Sequence, residues 1–430
     1  IVGARSALFL PFFILGLIVI DEEHDGSFKQ EEGVIYNARD MAIVRARLGS
    51  FSVVLASATP SLETIVNVKL DRYEAINLPS RHGDAKLPEI VSIDMKKDPP
   101  NRGRWLSLEL VERMSLTIEK GEQVLLFLNR RGYAPLTLCR LCGYRFQCPR
   151  CTAWLVEHRH LGRLQCHQCG FNIKPPKKCP ACDMEDSLAA CGPGVERLAE
   201  EVSDLFPSAR VLIASSDNIN TSKAARELVR QVEALEVDII IGTQMIAKGY
   251  HFPFLTLVGV IDADAGLQGG DLRATEKTFQ LLYQVAGRSG RSDRPGAVIL
   301  QTFMSNHPVI DNLIAGDKAQ FLIDEKNSRE AAGLPPFGRL AAIIISGRHE
   351  KKLDDYVREL SRSIPALEGI EVFGPAPAPY ALLRGKHRRR FLIKALKEES
   401  VQSPIKEWLS QLKVPSGIKV SIDVDPMSFM

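Results

Sequence analysis

The chain reads as an α/β protein in several parts: two regions built on parallel sheets, a cysteine-rich metal module set into the second, and a closing α+β domain of βαββαβ order. Three observations predict this. Short apolar runs alternate with helix-like stretches over most of the 430 residues, the grammar of strands joined by crossover helices. Eight of the nine cysteines fall between Cys139 and Cys182 as four Cys-x-x-Cys pairs, which is metal arithmetic in a chain without a secretory signal. After Pro335-Pro336-Phe337 the strand and helix order changes to that of a small split-βαβ, ferredoxin-like domain.

At 45% hydrophobic and 25% charged residues, the chain has the makings of more than one core. A net charge of +3 is too small to argue for nucleic acid, so that claim has to rest on local clusters. The stretch from Ala7 to Ile20 is nearly all apolar, but Pro11 and Gly16 interrupt it and Asp21-Glu22-Glu23-His24 ends it. A membrane span needs roughly 20 apolar residues, and a signal peptide needs a small-residue cleavage site. The run is therefore expected to be a buried strand, with no membrane association and a reducing cytoplasm as its setting. The first residue is Ile and nothing before it prepares this strand, so the chain is expected to begin inside a longer protein.

Strands are predicted from Leu17 to Ile20 and Phe51 to Ala56, with Tyr36 to Leu48 helical between them; residues 1–80 form the first region. The Pro-, Lys- and Asp-rich stretch from Leu87 to Arg104 reads as a linker, and 81–137 as that linker plus the start of the second region at Val124. The cysteine module takes 138–185, and the second region resumes over 186–305. Its strands run from Arg210 to Ala214, Asp238 to Ile241, Leu257 to Ile261 and Ala297 to Gln301, with helices from Val195 to Leu205 and Thr275 to Ala286. The last domain, 306–430, has strands beginning at Leu340, Gly369, Arg390 and Gly417, and helices at Lys351 and Glu398.

Asp21-Glu22-Glu23-His24 follows a strand, at the carboxyl edge where α/β sheets bind ligands. One carboxylate suits a hydrated Mg²⁺ and the next an attacking water; a solvated acidic turn is the plain alternative. Ser57-Ala58-Thr59-Pro60 follows the next strand, Gly242-Thr243-Gln244 through Lys248-Gly249 follows a strand of the second region, and Gln284-Val285-Ala286-Gly287-Arg288-Ser289-Gly290-Arg291 comes after both. Arg288 and Arg291, three apart, share one face of a helix end, where guanidinium groups stabilise charge on a transferring phosphoryl group. Alone, each string also fits a turn, a Gly-rich loop or a solvated basic face.

The cysteines run Cys139-x2-Cys142-x5-Cys148-x2-Cys151-x14-Cys166-x2-Cys169-x9-Cys179-x2-Cys182, enough thiolates for two closed four-cysteine zinc sites of the structural type. The inner pairs have the spacing of a zinc ribbon. The favoured arrangement is therefore nested, with Cys148, Cys151, Cys166 and Cys169 on one zinc and Cys139, Cys142, Cys179 and Cys182 on the other. Arg384-Gly385-Lys386-His387-Arg388-Arg389-Arg390 is the densest basic cluster, suited to phosphates or to a solvated face.

The order of the four motifs resembles that of superfamily-two helicases. The cysteine block between the second and third narrows the resemblance to the primosomal replication-restart helicases, as do Phe127-Leu128-Asn129-Arg130-Arg131-Gly132-Tyr133, Gly192-Pro193-Gly194-Val195-Glu196 and Gly374-Pro375-Ala376-Pro377. It spans nearly all of the chain. It implies two RecA-like helicase lobes, the first truncated, and an ATP-dependent 3′→5′ DNA helicase acting in replication restart and primosome assembly at stalled forks. Asp21 would hold Mg²⁺ and Glu22 act as general base, with Glu23 and His24 in the same catalytic motif. Ser57, Ala58, Thr59 and Gln284 would couple hydrolysis to strand movement, and Arg288 and Arg291 would be arginine fingers. Arg5, Phe28, Lys29, Tyr36, Arg39, Thr243, Gln244, Lys248, Arg384, Lys386, Arg388 and Arg389 are the expected DNA contacts, Phe28 to Asp40 resembling the aromatic-rich loop of such helicases. Expected cofactors are two structural Zn²⁺ and, in the intact protein, ATP with Mg²⁺. Expected partners are single-stranded and forked DNA, primosome proteins and single-stranded-DNA-binding protein, for a monomer near the bacterial nucleoid.

One part is missing: no phosphate-cradling GxxxxGK[ST] loop occurs in these residues, so the stretch alone is expected to hydrolyse ATP poorly. A zinc-dependent DNA- or protein-binding module with an inert α/β part, and a phosphohydrolase that works without DNA, are the rival readings.

Overall fold

A computed structural model of the chain describes residues 1–31, 33–78, 88–101, 104–128, 136–139, 144, 146, 148–149, 155–158, 163–165, 171–185, 188–191, 195–215, 219, 221–243, 246, 252–267, 272–290, 294–365 and 369–428; for 136–139, 156–158, 165, 188–191 and 379 this means the backbone.

In the first region the strand Leu17–Asp21 pairs in parallel with Ser52–Ala56, Asp21 beside Ala56. The helix Ala38–Gly49 joins them, capped by Asn37, whose side chain accepts from the Arg39 amide. The strand is where the apolar run predicts it, but its burial is not. Ile20 is buried, whereas Leu17, Val19 and Val54 are 51%, 60% and 46% exposed. Among the described residues this sheet has two strands, with the helix packed against both. Side chains alternate between the faces of a strand, so only one set is covered.

The second region is a six-stranded parallel sheet in the order Val211–Ala214, Ile239–Gly242, Gln123–Phe127, Leu255–Val260, Ala297–Thr302, Glu89–Asp94. Alternate residues feed two cores. Leu125, Phe127, Val258 and Val260 meet Phe279 and Leu282 of helix Ala274–Ala286 on one face. On the other, Val124, Leu126, Ile239 and Ile241 meet Leu110 and Met114 of helix Leu108–Glu119 and Leu198 of helix Val195–Leu205. Burial on both faces is why these strands read as unbroken apolar runs. Two expectations are corrected here. Glu89–Asp94 lies in the stretch taken for a linker, yet it pairs in parallel with Ala297–Thr302. Its Ile90, Val91 and Ile93 are β-branched strand formers, and an edge position tolerates the neighbouring Pro88. Helices Pro308–Ala315 and Lys318–Ala331 add Val309, Ile310, Leu313 and Phe321 to the core shared with Phe279, so they pack with this region despite the sequence boundary at 306.

The closing domain runs Gly338–Gly347, Glu350–Arg362, Ile370–Leu383, Lys386–Leu396, Gln402–Ser410, Ile418–Val424, that is, βαββαβ. Its antiparallel sheet has the order Ile370–Leu383, Lys386–Leu396, Gly338–Gly347, Ile418–Val424, which interleaves two split βαβ units. Buried Trp408 anchors its core and donates from Nε1 to the Leu360 carbonyl at 3.1 Å.

The cysteine module carries a five-stranded sheet in the order Asn172–Ile173, Arg163–Gln165, Val156–His158, Leu136–Cys139, Leu188–Cys191. Leu383, at the hairpin tip of the closing domain, packs against its core of Phe146, Leu155 and Leu164. Among the described residues, no helix is long and apolar enough to cross a membrane.

Candidate functional site

The acidic motif leaves its strand in a turn that sends neighbouring carboxylates to different places. Asp21, the last strand residue, is exposed and accepts from the Glu22 amide at 3.0 Å. Glu22 has a positive φ of 48°, uncommon for a residue with a Cβ. Its Oε2 is buried without a hydrogen-bond partner among the described residues and lies 3.6 Å from His24 Nδ1. An exposed carboxylate beside one with unused acceptor capacity is a donor set that fits a hydrated Mg²⁺ and a water to be oriented.

Glu23 turns inward. It is 2% exposed and accepts from the Ser61 amide at 2.6 Å, Ser61 Oγ at 3.1 Å and Arg39 Nη1 at 2.9 Å. Arg39 also donates to Asp40 Oδ1 at 2.9 Å. Burial alone would pull the Arg39 guanidinium down, but the carboxylates of Asp40 and Glu23 hold it above its ordinary value. Glu23 thus fixes Arg39 and the start of helix Leu62–Lys69, and both side chains of this pair are engaged within the protein.

His24 is the meeting point of three motifs. Its Nδ1 lies 2.7 Å from Ser57 Oγ, and its Nε2 lies 3.2 Å from Gln284 Nε2 on helix Ala274–Ala286. With the Gln284 amide donating to Nε2, the ring proton sits on Nδ1 and goes to Ser57. The Ser57 hydroxyl accepts from the Thr59 amide at 3.0 Å. The Thr59 carbonyl accepts from Gln280 Nε2 at 3.3 Å, and that of Ala58 from Lys318 Nζ at 3.3 Å. Motifs separated by more than two hundred residues are thus hydrogen-bonded across the junction of the two regions.

A buried ionic cluster, unannounced in the sequence, reinforces this junction. Arg273 grips both carboxylate oxygens of Glu63, at 2.9 Å for Oε2. Glu276 accepts from the Leu62 amide at 2.9 Å and from Arg329 Nη2 at 2.7 Å, and Arg329 also pairs with Glu325. Burial alone would raise Glu63, but Arg273 overrides it and holds that carboxyl at about 2. Nothing marks these residues beforehand, since charged side chains on helices usually face water.

Arg288 follows Gln284 by about one helical turn and is 7% exposed. Ser289 Oγ ties the loop to the Thr256 carbonyl at 2.7 Å. Gly290 has φ +70°, and a Cβ there would sit 2.8 Å from the Gly296 amide nitrogen, so glycine is required. Arg291 lies outside the described residues, as do Gln244 and Lys248; Thr243 follows the strand Ile239–Gly242 and is partly buried.

The expected DNA contacts divide. Phe28 is partly exposed, and Tyr36 stacks edge-on against Phe9 at 5.2 Å. Arg5 donates to the Lys29 carbonyl at 2.6 Å. Lys29 is 6% exposed, with its ammonium 2.7 Å from Asp423 Oδ1 of the closing domain. In the basic cluster, Arg384 and Lys386 are exposed at the hairpin turn, whereas Arg389 pairs with Glu350 at 2.9 Å and Asp354 at 2.7 Å. Arg388 is half-buried, and burial lowers its guanidinium below the ordinary value. The cluster lies mainly within the strand Lys386–Leu396, not on a loop before it.

In the cysteine module the turn 179–182 is described. Cys179 is buried, its Sγ accepts from the Ala181 amide at 3.4 Å, and its backbone pairs with Met184 and Asp183. An amide aimed at sulfur in a Cys-x-x-Cys turn suits a thiolate bound to metal. Cys139 lies opposite Leu188, six residues after Cys182, while Cys148 shares a core with Leu164, two residues before Cys166. Cys142, Cys151, Cys166 and Cys169 lie outside the described residues.

Sequence comparison matches residues 330–427 to the primosomal protein N C-terminal domain and 148–174 to the PriA DNA helicase Cys-rich region (CRR) domain. The replication restart protein PriA of Rickettsia conorii is 47% identical over 429 residues, covering all of this chain and 66% of the relative. The chain belongs to the PriA family. The PriA of Bacillus subtilis is 39% identical over the whole chain and 54% of its own length, and that of Haemophilus influenzae 38% identical over 99% and 58%. The chain thus spans about half to two thirds of these PriA relatives. Among solved structures, RecG bound to a three-way DNA junction aligns at 14% identity and TM-score 0.36 over 75% of this chain and 31% of that one, too weak to add to the assignment.

Proposed function

We propose that the chain is the larger part of an ATP-driven 3′→5′ DNA helicase of replication restart, with its nucleotide site at the junction of the two sheet-based lobes. The observation that carries this is the hydrogen-bonded chain Ser57–His24–Gln284. The acidic motif reaches the second lobe through its own His24, which is hydrogen-bonded to Ser57 on one side and to Gln284 on the other, and such a link is what converting hydrolysis into relative movement requires. Bound ATP with Mg²⁺ supplies the phosphoryl group whose loss drives that movement. Asp21 would hold the hydrated cation, Glu22, with its unused Oε2, would accept a proton from an attacking water, and Arg288 with Arg291 would stabilise negative charge on the phosphoryl group. Glu23 and Arg39 support the turn from behind.

The two zincs of the cysteine module are structural. The turn 179–182 and the backbone register at Cys139 support the nested ligand set. Phe28, Tyr36, Arg384 and Lys386 remain as DNA contacts with Arg5, Thr243, Gln244, Lys248 and Arg388, for single-stranded and forked DNA; primosome proteins and single-stranded-DNA-binding protein dock on the zinc module and closing domain. An inert binding module has no use for a histidine joining its two halves, and this disfavours that rival.

The test is DNA-stimulated ATP turnover in the chain carried within its full-length protein. Glu22→Gln should lower it by about 10³-fold or more with DNA binding and thermal unfolding unchanged, and Arg288→Ala should lower it comparably with DNA binding retained. Turnover retained in both variants would end the motor reading.

A further inference from the structure

The closing domain does more than follow the second lobe in sequence: its last residues span the junction. Lys29 belongs to the loop after the acidic motif, and its buried ammonium meets three oxygens on one short segment, one in an ion pair and two as hydrogen-bond acceptors. These are Asp423 Oδ1 at 2.7 Å, the Val424 carbonyl at 3.0 Å and the Asp425 carbonyl at 3.2 Å. Just beyond Asp425 the same segment reaches the other lobe, where Lys277 Nζ donates to the Met427 carbonyl at 2.8 Å. Lys277 stands on helix Ala274–Ala286, which also carries Gln280 and Gln284. Between the two anchors Asp425 takes a positive φ of 52°, and its amide donates to the Leu340 carbonyl at 2.9 Å, pinning the bend to the domain's own sheet.

We propose that residues 423–427 form a strap across the motor junction, tying the loop 26–30 of the first lobe to helix Ala274–Ala286 of the second. That the junction belongs to a motor rests on the preceding reading; the strap itself is a matter of geometry. The Lys29 end is a desolvated ion pair with two charge-assisted hydrogen bonds to carbonyls, and at the other end the Lys277 ammonium donates to the Met427 carbonyl. A contact reaching that loop is felt in helix Ala274–Ala286 through this segment only while both anchors hold.

Amide hydrogen exchange on the 430-residue chain tests this without reference to ATP. Lys29→Met should speed exchange about tenfold at 423–427 and, across the junction, in helix Ala274–Ala286. Lys277→Met should do the reverse, loosening the loop 26–30 from the far side. Asp423→Asn, which keeps the size of the side chain, should act as Lys29→Met does at smaller amplitude. Effects confined to the lobe that carries each substitution, with the distant anchor unchanged, would overturn the strap. Reciprocal exchange effects together with an absence of ATP turnover in the full-length protein would uphold the strap and count against the motor reading alone.

Discussion

Two adjacent glutamates show how little a motif string says about roles. Among the described residues, Glu22 keeps a buried oxygen without a hydrogen bond at the carboxyl edge of its strand, while Glu23 commits its acceptors to Arg39 and Ser61. Removing one partner of a buried ion pair strands the other charge. Glu23→Ala should therefore cost about 3 kcal/mol of stability, whereas Glu22→Gln should change it by less than about 0.5 kcal/mol. Denaturant unfolding of the two variants measures the difference, and equal losses would contradict the division of labour. The sequence placed both carboxylates at the right edge, but which of them faced outward depended on a positive φ that the string Asp-Glu-Glu-His does not encode.

At the scale of elements, helices Leu62–Lys69, Ala274–Ala286 and Lys318–Ala331 meet through Glu63, Arg273, Glu276 and Arg329. Burial raises the cost of charge on Glu63, but the Arg273 pairing dominates and takes that carboxyl from its ordinary 4.5 to about 2. A depressed folded-state value means the stabilisation is complete above the unfolded value and is lost as pH falls through the folded one. The contribution should thus be whole above about pH 4.5 and fade towards pH 2. Comparing acid unfolding of the unaltered chain with Glu63→Gln checks this, since the variant should lose less stability across that window. An equal acid response in both would exclude Glu63 as the titrating group. Of these helices, the sequence predicts Ala274–Ala286, as Thr275 to Ala286, and Val195–Leu205 likewise falls where it is predicted, whereas Leu62–Lys69 and Lys318–Ala331 were not foreseen. Nor was the strand Glu89–Asp94, because prolines and lysines around it masked a short β-branched run.

For the molecule as a whole, the cysteine module and the closing domain are joined through Leu383 and the hairpin around it. Two four-cysteine sites predict about two zinc ions per chain by elemental analysis. Cys179→Ser and Cys148→Ser should each leave about one, if the ligand sets are nested as the spacing and the Leu136–Cys139 register suggest. Loss of both ions from either single substitution would mean that the sites do not form independently.

By itself, the sequence determined the order of the parts: parallel α/β regions, an inserted cysteine module, a βαββαβ end, and four motifs in helicase order with the cysteine block between the second and third. Such features are local, since periodicity, spacing and strand-end chemistry are written in neighbouring residues. Only the tertiary structure decided that His24 would join Ser57 to Gln284, that Lys29 and Arg39 would be buried in ion pairs, and that Met427 would reach Lys277. The physical reason is that a charged or polar side chain carries no mark of its partner. Whether it meets water, a ligand or another buried charge depends on which distant backbone the fold brings within about 3 Å.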